Sequence, residues 1–273
     1  MIAMKNKECK MSWVGSREHF VDQVDVQQIN HVLVGRFGGN SSAGQYKNED
    51  ACIVWLNEVH DWETVVVMDA HNSSESAEII LSLFEENQAA MESLLSQVLS
   101  KSYFRSVENE ILTMYQSESF LQKCRSVTGE TAFLLAVRKG KYLYWFSVGD
   151  GILYLVHPEL TKLNQYQVNQ RHFYEWIGQV NTFAQVIPCY SSGVKELRKG
   201  ENHLLITTDG LLEFPGNKYE QPATIFQKFE QMSDEEAVRS LLQTVQENNG
   251  RDSTTIVSWK KVIEEHATKA SNH

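Results

Sequence analysis

Apolar and polar positions along the chain change period several times, and each change predicts an element. Ala51–Leu56 and Thr64–Met68 are short runs rich in β-branched residues, which predicts two strands. From Ser76 to Leu99 the apolar positions Ile80, Leu83, Phe84, Met91, Leu94, Leu95 and Val98 keep mainly three- and four-residue spacing, which predicts one long helix. Ser73 or Ser74 can cap its start, and a second helix is predicted over Val107–Gln122. The period then changes. Thr131–Arg138, Lys141–Val148 and Ile152–Val156 are apolar runs separated by Lys139-Gly140 and Gly149-Asp150-Gly151, which predicts an antiparallel meander with tight turns. Gln167–Gly178 reads as a short helix over irregular structure, and Leu204–Thr208 as a strand. Ser233 with Glu236 forms a capping box for a helix running to about Glu247, and Thr254–Trp259 is a last strand.

Antiparallel strand blocks separated by helical blocks imply layered α+β architecture, not alternating βαβ units. No Pro-, Ser- or Gly-rich stretch marks a linker, so one domain is expected in a chain of 273 residues, 42% of them apolar. That composition excludes a disordered chain. The net charge of -10 argues against nucleic acid or an anionic membrane as partner, because both attract basic surfaces. The longest apolar runs, Ala51–Leu56 and Ala132–Val137, are six residues, whereas a membrane span needs about 18–20. The N-terminus lacks the apolar core of a secretory signal. Cys9, Cys52, Cys124 and Cys189 lie far apart with no CxxC pair, so four reduced thiols, a cytoplasmic location and a monomer are the expectation.

The chemistry of the chain lies in carboxylates at strand margins. Glu49-Asp50 precedes the strand Ala51–Leu56, and Thr64–Met68 runs into Asp69. The run to Val148 leads to Gly149-Asp150, Leu204–Thr208 leads to Asp209-Gly210, and Asp252 precedes the final strand. Side chains placed this way can converge on one rim of a sheet core. Clustered carboxylates repel one another, and divalent cations remove that penalty. An all-oxygen set suits Mg2+ or Mn2+ rather than zinc or copper. Taken singly, Asp150-Gly151 and Asp209-Gly210 read first as turns, and Glu49-Asp50 as a solvated loop.

The ordered set is more specific. Glu49-Asp50, Asp69-Ala70-His71-Asn72, Gly129-Glu130-Thr131-Ala132, Gly149-Asp150-Gly151, Thr208-Asp209-Gly210 and Asp252-Ser253 resemble the signature of metal-dependent serine/threonine protein phosphatases of type 2C, in their bacterial single-domain form. The resemblance runs over about residues 30–260. It implies a four-layer α-β-β-α sandwich of two antiparallel sheets packed face to face with helices outside. It places a phosphatase-like domain at 30–262, an N-terminal extension at 1–29 and a tail at 263–273. It further implies two Mn2+ or Mg2+ ions and room for a third. Asp69 would bridge two ions, and Asp209 and Asp252 would complete one shell. Glu49, with its neighbour Asp50 and the carbonyl of Ala70, would serve the other. Asp150 with Asp209 would suit the third. A metal-bridging water would attack phosphorus in line, and His71 would protonate the leaving alcohol. The implied substrate is a phosphoprotein.

Several positions depart from that signature. Gly-His-Gly-Gly becomes Ala70-His71-Asn72-Ser73, and Glu213 stands where many relatives carry a second aspartate. The arginine four or five residues before Glu-Asp is absent, since Gln45 and Gly44 occupy those places. Lys47 and Arg36 are the nearest cations in sequence and are the expected phosphate ligands. Residues between Leu160 and Gly200, with Tyr166, His172, Phe173, Tyr174 and Trp176, stand where the family has a variable flap. Three alternatives stay open: a haloacid-dehalogenase-like phosphatase built on Asp69, a type 2C-like module that binds without catalysis, and a phosphatase of small phosphomonoesters.

Overall fold

In the computed structural model, which describes residues 8–216 and 218–269, the chain folds into two antiparallel sheets with helices outside both. Three strands come first: β1 (Glu8–Val14), β2 (Val24–Ile29) and β3 (Val32–Phe37). Strands β4 (Ala51–Asn57) and β5 (Trp62–His71) lead into four helices, α1 (Glu75–Glu86), α2 (Gln88–Leu95), α3 (Tyr103–Tyr115) and α4 (Glu118–Ser126). Next come β6 (Glu130–Lys139), β7 (Tyr142–Val148), β8 (Ile152–Val156) and the single turn α5 (Pro158–Thr161). The remaining elements are β9 (Ile177–Gly178), β10 (Ser191–Glu196), β11 (Gly200–Thr207), α6 (Pro222–Gln231), α7 (Asp234–Glu247) and β12 (Thr254–Ile263). The first sheet has the order β1-β4-β5-β6-β7-β10 with β9 on β6, and the second β2-β3-β12-β11-β8.

Three apolar layers hold these sheets. Val65 and Val67 of β5 meet Leu134 of β6, Leu153, Ile206 and Val257 between the sheets. The alternate residues Val66 and Met68 face the helices and meet Ile80, Leu81 and Phe84 of α1. On the far side, Leu205 and Ile256 meet Val238, Leu241, Leu242 and Val245 of α7. A strand covered on both faces has no polar side, which is why β4 and β5 read as unbroken apolar runs rather than alternating ones. Each buried Leu, Ile, Val or Phe adds about 1.5–3 kcal/mol relative to exposure, so the layers are locked by burial.

Several sequence expectations change. The helix expected from Ser76 to Leu99 is two helices: α1 stops at Asn87, whose Nδ2 donates to Leu83 O at 2.8 Å, and Val98 lies beyond α2, exposed. The helix expected over Val107–Gln122 is also two, because Ser117 caps α4 through a 3.4 Å bond from Phe120 N. Gln167–Gly178 forms no helix. It runs irregularly, held by a bridge from Gln167 to Tyr154, and ends in β9. The capping box at Ser233 and Glu236 is present. The residues taken as an extension before residue 30 include β1 on β4 and β2 on β3, strands whose half-polar sequences carry little apolar signal. The expected three-stranded meander is a hairpin plus a crossover: β7 pairs with β6, but β8 pairs with β11 in the other sheet. Gly149-Asp150-Gly151 is therefore the passage between sheets, not a hairpin turn.

Candidate metal centre

The sandwich opens at one edge, where β5 ends, β4 and β12 begin and β11 ends. Register brings these ends level: Ala51 lies opposite Met68, Asp69 opposite Ala132, Thr207 opposite Ile256 and Thr254 opposite Phe37. Two glycines permit close approach there. At Gly149 the backbone is left-handed (φ +89), and a Cβ would meet that of Ala132 at 2.6 Å. At Gly210 a Cβ would meet Ser253 O at 2.1 Å, so only glycine lets the Asp209 turn sit against the approach to β12.

Asp69 and Asp209 lie side by side at this edge, both almost fully buried. Burial pushes the Asp69 carboxyl well above the usual carboxylate range, and the Asp209 charge adds to it. Asp209 is pushed up to about 7 by burial and by the charges of Asp252 and Asp150. In their ionised forms, Asp69 Oδ2 and Asp209 Oδ1 meet no donor from the protein. Two unit charges about 4 Å apart repel by about 4 kcal/mol at an effective dielectric constant of about 20, so ionised carboxylates in contact need a cation. Buried oxygens without donors fit a divalent ion with hard-oxygen preference. Among the described residues no three His, Cys, Asp or Glu side chains form a closed ligand set.

Next to this pair lies an open cleft of about 400 Å3 lined by Glu49, Ala70, His71, Asn72, Arg251 and Asp252, with Gln45 and Glu213. Glu49 accepts from Lys47 Nζ at 2.7 Å, and the same ammonium donates to Asn72 O at 2.7 Å. Asp252 is partly buried, which raises its pKa, and it accepts from the backbone N–H of Ser253 at 2.9 Å. His71 is half exposed, with Nδ1 3.4 Å from Asp69 Oδ1. Asp50 is fully buried, and burial raises its pKa. Its Oδ2 accepts from Thr208 Oγ1 at 3.1 Å and Thr255 Oγ1 at 2.7 Å, so this carboxylate ties the start of β4 to the second sheet. Its Oδ1 has no donor.

The structure gathers Glu49, Asp50, Asp69, Ala70, His71, Asp209 and Asp252 as the sequence order implied, with Lys47 on the rim and Asp150 at the neighbouring crossover. It does not bring Arg36. That side chain is buried on β3, donates to Asp25 Oδ2 at 2.5 Å and Gln27 Oε1 at 3.0 Å, and stacks 4.6 Å from the Phe20 ring centre. Buried and paired with β2, Arg36 is not among the residues that line the cleft. Two cations that sequence distance hid stand at the centre instead. Arg251 lines the cleft and, among the described residues, its side chain makes no hydrogen bond or ion pair. Arg171 reaches in from the irregular segment after β8, with Nη2 2.5 Å from Glu213 Oε1. The signal for Arg251 was its place beside Asp252. Nothing in the sequence signalled Arg171.

A match to the protein phosphatase 2C family covers residues 39–253. No curated protein matches the chain. Solved structures do. A bacterial serine phosphatase superposes with a TM-score of 0.62 at 12% identity, covering 97% of this chain and 100% of that one. RsbX in complex with magnesium gives 0.57 at 16% identity, covering 88% and 100%. The catalytic domain of the serine/threonine protein phosphatase PstP, in complex with 2 manganese ions, gives 0.57 at 12% identity, covering 94% and 100%. At these identities the likeness is one of fold.

Proposed function

The chain belongs to the protein phosphatase 2C family, and from that membership we propose that it is a metal-dependent phosphomonoester hydrolase acting on phosphoserine or phosphothreonine in proteins. The observation that carries this reading is the pair of buried carboxylates, Asp69 and Asp209, whose oxygens without donors lie next to residues that line an open polar cleft, Ala70 and Asp252 among them. Relatives of the same fold were solved with magnesium and with manganese, which supports Mg2+ or Mn2+ as the ion.

Asp69, Asp209 and Asp252, with Glu49 and the Ala70 carbonyl, would hold the ions. When bound, divalent ions lower the pKa of water and neutralise phosphoryl charge. Asp50 supports the centre by fixing Glu49 at the head of β4 through its bonds to Thr208 and Thr255. His71 is the candidate general acid for the leaving alcohol: it lines the cleft and Asp69 orients its ring. Arg251 takes the part of the absent upstream arginine. Its planar fork suits phosphate, and it has no competing partner in the described residues. Lys47 adds a point charge from the rim, where Glu49 already holds it.

Purified protein should hydrolyse para-nitrophenyl phosphate and phosphoserine or phosphothreonine peptides with Mn2+, and lose that activity in excess chelator. Full activity after dialysis against chelator defeats the metal reading; hydrolysis of small phosphomonoesters alone, with no phosphopeptide turnover, moves the substrate from protein to metabolite. Arg251→Ala should raise KM for both substrates by about tenfold, the loss of roughly 1.4 kcal/mol of binding, with a smaller fall in kcat. Lys47→Ala should move KM less. An unchanged KM in Arg251→Ala with a raised KM in Lys47→Ala would return the phosphate to the lysine.

A further inference from the structure

The segment that carries Arg171 is irregular but closely held. Asn169, buried, donates from Nδ2 to Gly151 O at 2.8 Å and accepts from Leu153 N at 2.8 Å, which clamps the segment to the start of β8. His172 N donates to Gly149 O at 3.0 Å, so both neighbours of residues 170 and 171 are tied to the crossover that carries Asp150. Between these ties the Arg171 side chain turns inward. Its Nε donates to Asp150 O at 3.2 Å, and the Phe173 ring centre lies 4.9 Å from its Cζ. Its Nη2 stands 3.6 Å from Asp150 Oδ2, 3.5 Å from Asp209 Oδ2 and 2.5 Å from Glu213 Oε1. The guanidinium therefore lies among three carboxylates, two of which form the pair that would take a further divalent ion.

We propose that Arg171 is a built-in cation for the Asp150–Asp209 carboxylate pair, standing where a third divalent ion would bind and keeping that ion out. This inference rests on the reading of the Asp69–Asp209 pair as a divalent metal centre, and it concerns a different edge of that centre. Its physical basis is competition. A divalent ion between Asp150 and Asp209 must displace a guanidinium that already compensates both charges and is clamped by Asn169 and Glu213. A tethered group acts at an effective concentration on the order of millimolar or more, so a weakly held ion competes poorly with it. Glu213 fits the arrangement. As the longer acid it spans to Arg171, and it lies on the solvent side, half exposed, where it draws the guanidinium over the pair.

Counting bound Mn2+ after equilibrium dialysis tests this without reference to turnover. Arg171→Ala and the more conservative Arg171→Gln should each bind one Mn2+ per chain more than the unaltered protein. Arg171→Lys, which keeps the positive charge, should bind the same number as the unaltered protein. The extra ion should disappear when Asp150→Asn is added to Arg171→Ala. In the protein with Arg171 intact, Asp150→Asn should leave the count unchanged, a comparison that does not depend on any Arg171 variant folding. The proposal is overturned if removing the arginine leaves the count the same, zero included, or if Asp150→Asn alone removes an ion. A protein that follows the expected counts but hydrolyses no phosphomonoester would sink the proposed activity and leave this inference standing.

Discussion

Replacing Asp69 by asparagine should cut Mn2+-dependent turnover by on the order of a thousandfold, about 4 kcal/mol of transition-state stabilisation at roughly 1.36 kcal/mol per decade. Asp69 sits near the end of β5 with both faces of its strand packed, so its carboxylate is held in one position, beside Asp209. Asparagine keeps the shape and removes the charge that would hold the ions. The same substitution should leave the metal-free protein folded and raise its melting temperature, because Asp69 is buried beside Asp209, Asp50 and Asp252 and its charge is repelled by all three. Lower activity with lower metal-free stability would mean that Asp69 supports the fold rather than the metal. Normal turnover would show that the centre lies elsewhere.

The second large effect is a stability difference that depends on pH and shrinks with metal. Asp209 titrates at about 7 in the fold against 3.8 for the unperturbed carboxyl, chiefly through burial. The folded state therefore holds a proton that the unfolded chain has released. The associated stability is fully present below 3.8 and is lost as pH rises through about 7. Asparagine has no proton to lose. In chelator, Asp209→Asn should melt above the unaltered protein, by a gap that widens from pH 4 to pH 7 and amounts to a few kcal/mol, at ~1.36 kcal/mol per pH unit between the two pKa values. Comparing the two proteins at each pH cancels carboxylates such as Glu63, which Arg138 and His31 hold low and which titrate in the opposite sense. Saturating Mn2+ should narrow the gap, since an ion at a hundred times its Kd stabilises the protein that binds it by about 2.7 kcal/mol. A gap that stays constant with pH would show that Asp209 is not strained in the metal-free fold.

Among the described residues no helix is long and apolar enough to cross a membrane. The strands β4, β5, β6 and β11 were legible because burial on both faces forces an unbroken apolar run on any sequence that forms them. The edge strands β1, β2 and β10 were not, since an exposed face admits residues such as Lys10, Gln27 and Lys195. Helix breaks at Asn87 and Ser117 were missed because apolar spacing carries across a short break when both helices pack on the same sheet.

The sequence by itself determined the family, the layered fold and the acidic core of the centre. A carboxylate at the end of an apolar strand is placed by local chemistry: the strand fixes where its last side chain goes, and order along the chain is enough to recognise the set. Only the tertiary structure decided the cations. Arg36 is close to Glu49 in sequence, yet alternation on β3 turns it toward Asp25 and Phe20. Arg171 and Arg251 are far from Glu49 in sequence, yet the segment after β8, tied back to the β7–β8 crossover, and the approach to β12 bring them to the centre. Long, flexible side chains from irregular segments are positioned by what they meet across the fold, and those meetings leave no period and no spacing in the chain.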